Sequence, residues 1–235
     1  GDGFGEEVHL RNDINGDGLA DLIIGAPRSA KAGATAGRVY VWFGRRDGTP
    51  GAKQDVEIPQ GTINDLFGTA IATGDLNGDG QADLAIGAPH HNIGDKIPGS
   101  VFVFFGGAKS RFTTASQIIS GEATQFHDQF GKSVAIVSDQ NGDGKAELVV
   151  GAPQVTVDGR QLGKAYIYHG GATISKTPTT TFLGAIEAGR FGEKVFSLGD
   201  INNDGKGDFA VQARDDAGSR GVVYLYLGGG DREYH

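Results

Sequence analysis

Three observations predict an all-β fold, a β-propeller of four-stranded antiparallel blades. The 235-residue chain repeats itself four times, marked by Phe4-Gly5, Phe67-Gly68, Phe130-Gly131 and Phe191-Gly192 at spacings of 63, 63 and 61 residues. Every repeat holds an alternating apolar run framed by glycines: Gly37 to Gly44, Gly99 to Gly106, Gly163 to Gly170 and Gly221 to Gly228. Glycine is abundant (41 residues) and 38% of residues are hydrophobic, which suits short strands and tight turns rather than helices. A sheet built from one such unit cannot bury both faces alone, so the units pack face to face around an axis.

The elements of a unit, A to D, follow in order. Strand A comes after the Phe-Gly pair and leads into a nine-residue acidic loop: Asp13 to Asp21, Asp75 to Asp83, Asp139 to Glu147 and Asp200 to Asp208. Strand B is the apolar run behind that loop. It ends in Gly25-Ala26-Pro27, Gly87-Ala88-Pro89 and Gly151-Ala152-Pro153, whereas the fourth copy reads Gln212-Ala213-Arg214 and has lost the motif. Strand C carries aromatics on one face (Tyr40 and Trp42, Phe102 and Phe104, Tyr166 and Tyr168, Tyr224 and Tyr226) and mostly aliphatic residues on the other. Two apolar faces at period two describe a strand buried between sheets, so these aromatics read as core rather than a ligand cage. Strand D is weaker, around Asp55 to Ile58, Ser116 to Ile119 and Thr180 to Leu183.

The repeats run approximately over 1–61, 62–121, 122–184 and 185–235, within a single propeller domain. The last one stops nine residues after Tyr226, and three residues precede Phe4. The fourth blade is therefore expected to lack its outer strand within this chain. Such an edge invites association, so a homo-oligomer through the open blade edge is expected, unless sequence outside the chain fills it. Met is absent, at position 1 as elsewhere, so the chain is expected to be processed or cut from a longer one.

The acidic loops carry the chemistry. Each puts side-chain oxygens at positions 1, 3, 5 and 9, and a glycine at position 6 where the backbone turns sharply. The sets are Asp13, Asn15, Asp17 and Asp21; Asp75, Asn77, Asp79 and Asp83; Asp139, Asn141, Asp143 and Glu147; and Asp200, Asn202, Asp204 and Asp208. The main-chain carbonyl of position 7 (Leu19, Gln81, Lys145, Lys206) completes each set, which leaves that side chain free to vary. Many oxygen ligands in a flexible loop suit Ca2+, up to four ions with one per repeat, better than Mg2+. An EF-hand would need a bidentate Glu at position 12, where this chain has Ile24, Ile86, Val150 and Val211 inside strand B. One such loop alone reads equally well as a solvated turn; four in register point to metal. Three acidic groups per loop account for 12 of the 29 in the chain, and four divalent cations would offset the net charge of −8.

Other functions find less support. No basic stripe offers a nucleic-acid surface, no apolar run is long enough to span a bilayer, and the absence of Cys removes disulfides and thiolate metal sites. No nucleophile elbow, zinc motif or phosphate loop is present. A glycosidase pair such as Asp65 with Asp128 stays open as an alternative.

Phe-Gly, acidic loop and Gly-Ala-Pro in that order resemble the FG-GAP repeat of the integrin α-subunit propeller, over essentially the whole chain. Four repeats stand where the integrin head has seven, and Cys is missing, so the resemblance is to a prokaryotic or other non-integrin relative. It implies a calcium-dependent, extracellular or cell-surface (secreted) propeller. The metal loops would lie on one face, and a protein or glycan ligand would bind the other. Chain topology puts on that other face the B to C connections (28–36, 90–98, 154–162, 214–220) and the D to A connections (62–66, 122–129, 184–190). Arg28, His90, His91, Gln154 and Arg214 are the ligand-binding candidates there, against the alternative of solvated loop residues. Neighbouring His90 and His91 lack the third ligand that a transition metal needs. The expected function is a calcium-stabilised, non-catalytic adhesion or recognition module. The alternatives are an accessory domain of a larger secreted enzyme and a carbohydrate-active enzyme.

Overall fold

The computed structural model describes residues 1–10, 12–30, 35–49, 51–59, 61–122, 127–214, 221–229 and 233–234. The first sheet contains β1 (Glu7–Leu10), β2 (Leu22–Ala26), β3 (Arg38–Trp42) and β4 (Val56–Ile58), and the second β5 (Ala70–Gly74), β6 (Asp83–Ala88), β7 (Ser100–Phe104) and β8 (Gln117–Ser120). The third contains β9 (Ser133–Val137), β10 (Glu147–Ala152), β13 (Lys164–Tyr168) and β14 (Thr180–Leu183), with the small hairpin β11 (Thr156–Val157) and β12 (Arg160–Gln161) inserted after β10. The fourth contains β15 (Lys194–Gly199), β16 (Asp208–Ala213), β17 (Val222–Tyr226) and β18 (Glu233–Tyr234). All four are antiparallel meanders in chain order, the blades expected from the repeats.

The fourth blade corrects one expectation. It does have an outer strand in this chain: β18 pairs with β17, placing Tyr234 opposite Leu225 and Glu233 opposite Tyr226. Two residues suffice for this pairing and are too few to show an alternating pattern, so the strand is invisible to sequence periodicity. The open blade edge invoked for association is accordingly filled.

Both repeat motifs find their cause in the backbone. Within a blade, the glycine amide of Phe-Gly donates to the carbonyl at the first position of Gly-Ala-Pro: Gly5 to Gly25, Gly68 to Gly87, Gly131 to Gly151 and Gly192 to Gln212, at 3.0, 3.0, 3.1 and 3.1 Å. Between blades, the phenylalanine amide donates to the carbonyl two residues before the third strand of the preceding blade: Phe67 to Ala36, Phe130 to Pro98 and Phe191 to Leu162. The aromatic face of each blade then packs on the aliphatic face of the blade before it. Phe67, Phe102 and Phe104 sit on Val39, Val41 and Ile58; Phe130, Tyr166 and Tyr168 sit on Val101, Val103 and Ile119; Phe191, Tyr224 and Tyr226 sit on Val149, Ala165 and Ile167.

Strands of the second blade are buried on both faces, as β6 and β7 show residue by residue. In the first blade, β2 and β3 instead alternate between buried and half-buried, and in the fourth β15 is exposed at all but one position. The expectation that every strand C lies between two sheets thus holds for the inner blades only. Among the described residues, Phe4 and Val8 on the aromatic side of the first blade and Phe196, Leu198 and Val223 on the aliphatic side of the fourth are exposed. The innermost strands β1, β5, β9 and β15 border one cavity of about 610 Å³. Thr73 Oγ1 and His9 Nε2, 2.7 Å apart, and the Val195 amide on Ser133 Oγ, at 2.8 Å, tie neighbouring inner strands.

Candidate metal centres and the opposite face

Each acidic loop joins the first two strands of its blade and wraps around its position-1 carboxylate. Asp13 accepts the amides of Gly16, Asp17 and Gly18 at 2.6, 3.1 and 2.6 Å. Asp75 and Asp139 repeat this with Gly78, Asp79 and Gly80 and with Gly142, Asp143 and Gly144. The glycines at positions 4 and 6 all sit at positive φ, between 78° and 85°, which a residue with a Cβ adopts only under strain. In the fourth loop Asn203 takes position 4 at φ 58°, a conformation asparagine tolerates, and Asp200 binds Asp204 and Gly205. Position 3 accepts the amide of position 5, as Asn15 Oδ1 does from Asp17 at 2.9 Å. Positions 1, 3 and 5 therefore converge as oxygens on an exposed turn, the donor chemistry of a hard cation.

Position 9 does something the sequence reading missed. Asp21, Asp83 and Asp208 are fully buried, and one carboxylate oxygen accepts the position-2 amide (Ile14, Leu76, Ile201) at 2.8 Å. The other accepts the glycine amide just beyond strand C (Gly44, Gly106, Gly228), also at 2.8 Å. The side chain is a post that fastens the loop to the blade. The signal available in the sequence was the glycine closing each strand C run. Glu147 departs from this: it accepts from Gln140 N at 2.7 Å, while its other oxygen meets Asn141 Nδ2 at 3.1 Å. The longer arm brings it toward its own loop. Among the described residues, Asp139, Asp143 and Glu147 are the three acidic groups whose oxygens lie within 4.8 Å of one another.

The electrostatics agree with that crowding. Burial, with Asp139 and Asp143 adding to it, pushes the Glu147 carboxyl up to about 7. Burial likewise pushes Asp83 up to about 6 and raises Asp21, against the amides that hold both. Clustered carboxylates of this kind repel one another unless a cation joins them, so the residues present fit a divalent ion, most fully in the third loop.

The loops are also joined to one another. The position-1 carbonyl of one loop accepts the position-8 amide of the next: Ala82 to Asp13 at 3.4 Å, Ala146 to Asp75 at 3.0 Å and Gly207 to Asp139 at 3.0 Å. Position-2 carbonyls reach the following blade too, taking Gly107 N on Ile14 at 2.8 Å and Gly171 N on Leu76 at 2.7 Å.

At the opposite end, each described ligand candidate has its own local contacts. Arg28, His90 and Gln154 use their amides on the carbonyls of Asp2, Asp65 and Asp128. The Arg28 guanidinium pairs with Glu6, and Arg214 is exposed at the limit of 215–220, which lie outside the described residues, as do 31–34 and 123–126 of the other variable connections. His91 is committed to its own blade, with Nδ1 2.8 Å from Asp65 Oδ2 and its ring edge-on to Phe102. His90 lines a recess of about 530 Å³ with Ile63, Asn64, Leu66, Ile97 and His127. Burial first, then His127 and Lys132, keep its imidazole pKa below the usual value.

The acid pair Asp65 and Asp128 occupies matching positions in consecutive repeats. Asp65 Oδ2 accepts Thr62 N and Thr62 Oγ1 at 2.7 and 2.8 Å. Burial would raise its pKa, but His91 and Thr62 together hold it low. Asp128 is pushed up to about 6 by burial and then by Glu122.

The FG-GAP repeat profile matches residues 4–42, 67–104 and 130–168. The fourth repeat, with its altered Gln212-Ala213-Arg214, lies outside those matches. Human phosphatidylinositol-glycan-specific phospholipase D is 32% identical over 173 residues, 69% of this chain and 20% of that protein. Integrin alpha-5 of Xenopus laevis is 33% identical over 168 residues, 69% of this chain and 15% of its own length. Integrin alpha-3 of the mouse is 34% identical over 153 residues, 64% of this chain and 13% of its own. The chain thus spans about a fifth or less of the curated relatives it matches. With blades, Phe-Gly contacts and acidic loops all in place, the chain belongs to the FG-GAP repeat family as an integrin-α-like propeller relative.

Proposed function

We propose that this chain is a calcium-stabilised, non-catalytic recognition module of the extracellular space or cell surface. It takes up to four Ca2+, one per acidic loop, and presents a protein- or glycan-binding surface at the opposite end. Positions 1, 3 and 5 and the carbonyl of position 7 would hold each ion; position 9 adds its charge beneath, and in the third loop Glu147 adds an oxygen directly. The bound ion supplies positive charge that ties three carboxylates together, so its role is structural. Affinities of roughly 10⁻⁴ to 10⁻³ M suit an extracellular module.

The observation that carries the metal reading is the crowding of Asp139, Asp143 and Glu147 within 4.8 Å. Calorimetric titration of chelator-treated protein tests it: up to four calcium ions per chain are expected, and the absence of calcium heats would overturn the reading. Support for the surface comes from the recess around His90 and Asn64, built from three of the connections that vary most among the repeats. A glycan array and a cell-surface protein panel, probed with the chain and its His90→Ala and Asn64→Ala variants, test that part. Ligands whose binding neither substitution reduces would place recognition elsewhere.

A second reading has an observation of its own. The likeness to a region of a phosphatidylinositol-glycan-specific phospholipase D fits a propeller that serves as the accessory domain of a larger secreted enzyme.

A further inference from the structure

Asparagine is followed by glycine at three places in the chain, Asn15-Gly16, Asn77-Gly78 and Asn141-Gly142, and each pair fills positions 3 and 4 of an acidic loop. The five other asparagines precede a residue that carries a side chain. In an Asn-Gly pair no Cβ on the second residue blocks the approach of its amide nitrogen to the asparagine Cγ. Attack there closes a five-membered succinimide. The nitrogen–Cγ bond forms as the Cγ–Nδ2 bond breaks, and the amide proton leaves with the departing ammonia. Water then opens the ring at either carbonyl, giving aspartate or isoaspartate without any oxidant or reductant.

The loops hold both reacting groups. Gly16, Gly78 and Gly142 donate their amide hydrogens to the position-1 carboxylate at 2.6, 2.7 and 2.7 Å. Position 5 grips the asparagine amide at both ends. Its main-chain N–H donates to Oδ1 of Asn15, Asn77 and Asn141 at 2.9, 2.8 and 2.8 Å, and its carboxylate accepts from Nδ2 at 3.0, 3.1 and 3.3 Å. In the third loop Nδ2 also meets Glu147 Oε1 at 3.1 Å. The three glycines are exposed, so water has access once these bonds open. The fourth loop is a built-in comparison: Asn202 makes the same two contacts with Asp204, but Asn203, at φ 58°, stands where the others have glycine.

We propose that Asn15, Asn77 and Asn141 are sites of spontaneous deamidation, shielded while the loop is closed and open to attack when it loosens. Shielding by calcium rests on the metal reading given above; the reactive positions themselves do not. Aspartate would add a fourth carboxylate to its loop, and isoaspartate would lengthen the main chain by one methylene between positions 3 and 4, so that positions 1 and 5 no longer share one turn. A loop left without its ion thus loses its site permanently.

The 235-residue chain, aged in mildly alkaline buffer with chelator, with calcium or in denaturant, tests this by intact mass and peptide mapping. Deamidation raises the mass, whereas isomerisation of aspartate leaves it unchanged. In chelator the three Asn-Gly asparagines should convert while Asn202 stays intact, and Asn203→Gly should make Asn202 convert like the others. Calcium at about ten times Kd lowers the open fraction, and hence the rate, roughly tenfold. Asparagines that stay intact in chelator while the denatured chain converts overturn the proposal, as does an Asn202 unmoved by Asn203→Gly. Equal rates in calcium and chelator, with calorimetry showing the ions bound, overturn the shielding. A lack of calcium heats would instead overturn the metal reading, and conversion in chelator would then decide the reactive positions alone.

Discussion

A Cβ placed on Gly87 would lie 2.0 Å from the carbonyl oxygen of Gly131 in the next blade. Gly151 and Gly192 stand in the same relation, so the first glycine of Gly-Ala-Pro is set by blade-to-blade distance. Gly87→Ala should force those backbones apart and destabilise the chain by about 1–3 kcal/mol, as overpacking does. The fourth blade carries Gln212 at this position, half-buried at the end of the described repeats. Gln212→Gly should change monomer stability by no more than the ~1 kcal/mol cost of glycine in a strand. Thermal unfolding of both variants, under dilute conditions, checks the contrast.

The acidic loops should respond to single charges in opposite ways with and without metal. Asp79→Ala removes a position-5 carboxylate, so it should reduce the number of calcium ions bound by one and lower the calcium-dependent rise in melting temperature. In chelator the same variant should melt no lower than wild type, because a like charge beside Asp75 has gone. Differential scanning calorimetry in the two conditions measures both effects.

Asp128 offers a pH test away from the loops. Burial, reinforced by Glu122, holds its carboxyl at about 6 against an ordinary 3.8. Between those values the folded chain keeps a proton that the unfolded chain releases, so stability falls as pH rises through this window and the cost is complete above it. Asp128→Asn should match wild type near pH 4 and exceed it near pH 7, by on the order of 1–3 kcal/mol. Denaturant unfolding with calcium present, which keeps the loop carboxylates ionised, isolates the effect.

Hydrogen bonds from each loop to the next suggest that the sites are not independent. Loosening the third loop by Asp143→Ala should weaken calcium binding in the second and fourth, which meet it through the Ala146–Asp75 and Gly207–Asp139 contacts, more than in the first. Amide resonances of Gly80, Gly205 and Gly18, followed by NMR during calcium titration, report each loop separately.

The sequence disclosed what repeats. Phe-Gly, Gly-Ala-Pro and strand C announce four meanders because each carries a period or a glycine that geometry demands, and the loop oxygens at positions 1, 3 and 5 follow from their spacing. Position 9 was legible as an acidic residue and not as a post, since its partners at Gly44, Gly106 and Gly228 lie 23, 23 and 20 residues along the chain. Likewise Val223 and Val39 look alike as residues; only the presence or absence of a covering blade separates them. The outer strand Glu233–Tyr234 escaped because pairing of two residues leaves no periodicity to read. His91, a ligand candidate by position, has its ring placed against Asp65 and Phe102, a contact between connections that no local pattern encodes.

The central claim is that calcium joins the carboxylates of the acidic loops and so holds the blades in place. Thermal unfolding of the chain in chelator and in millimolar calcium, at fixed ionic strength and with magnesium as control, tests it most directly. The melting temperature should climb with calcium concentration as linkage requires, with magnesium much less effective. Identical melting in chelator and calcium would contradict it and reduce the four loops to hydrogen-bonded turns.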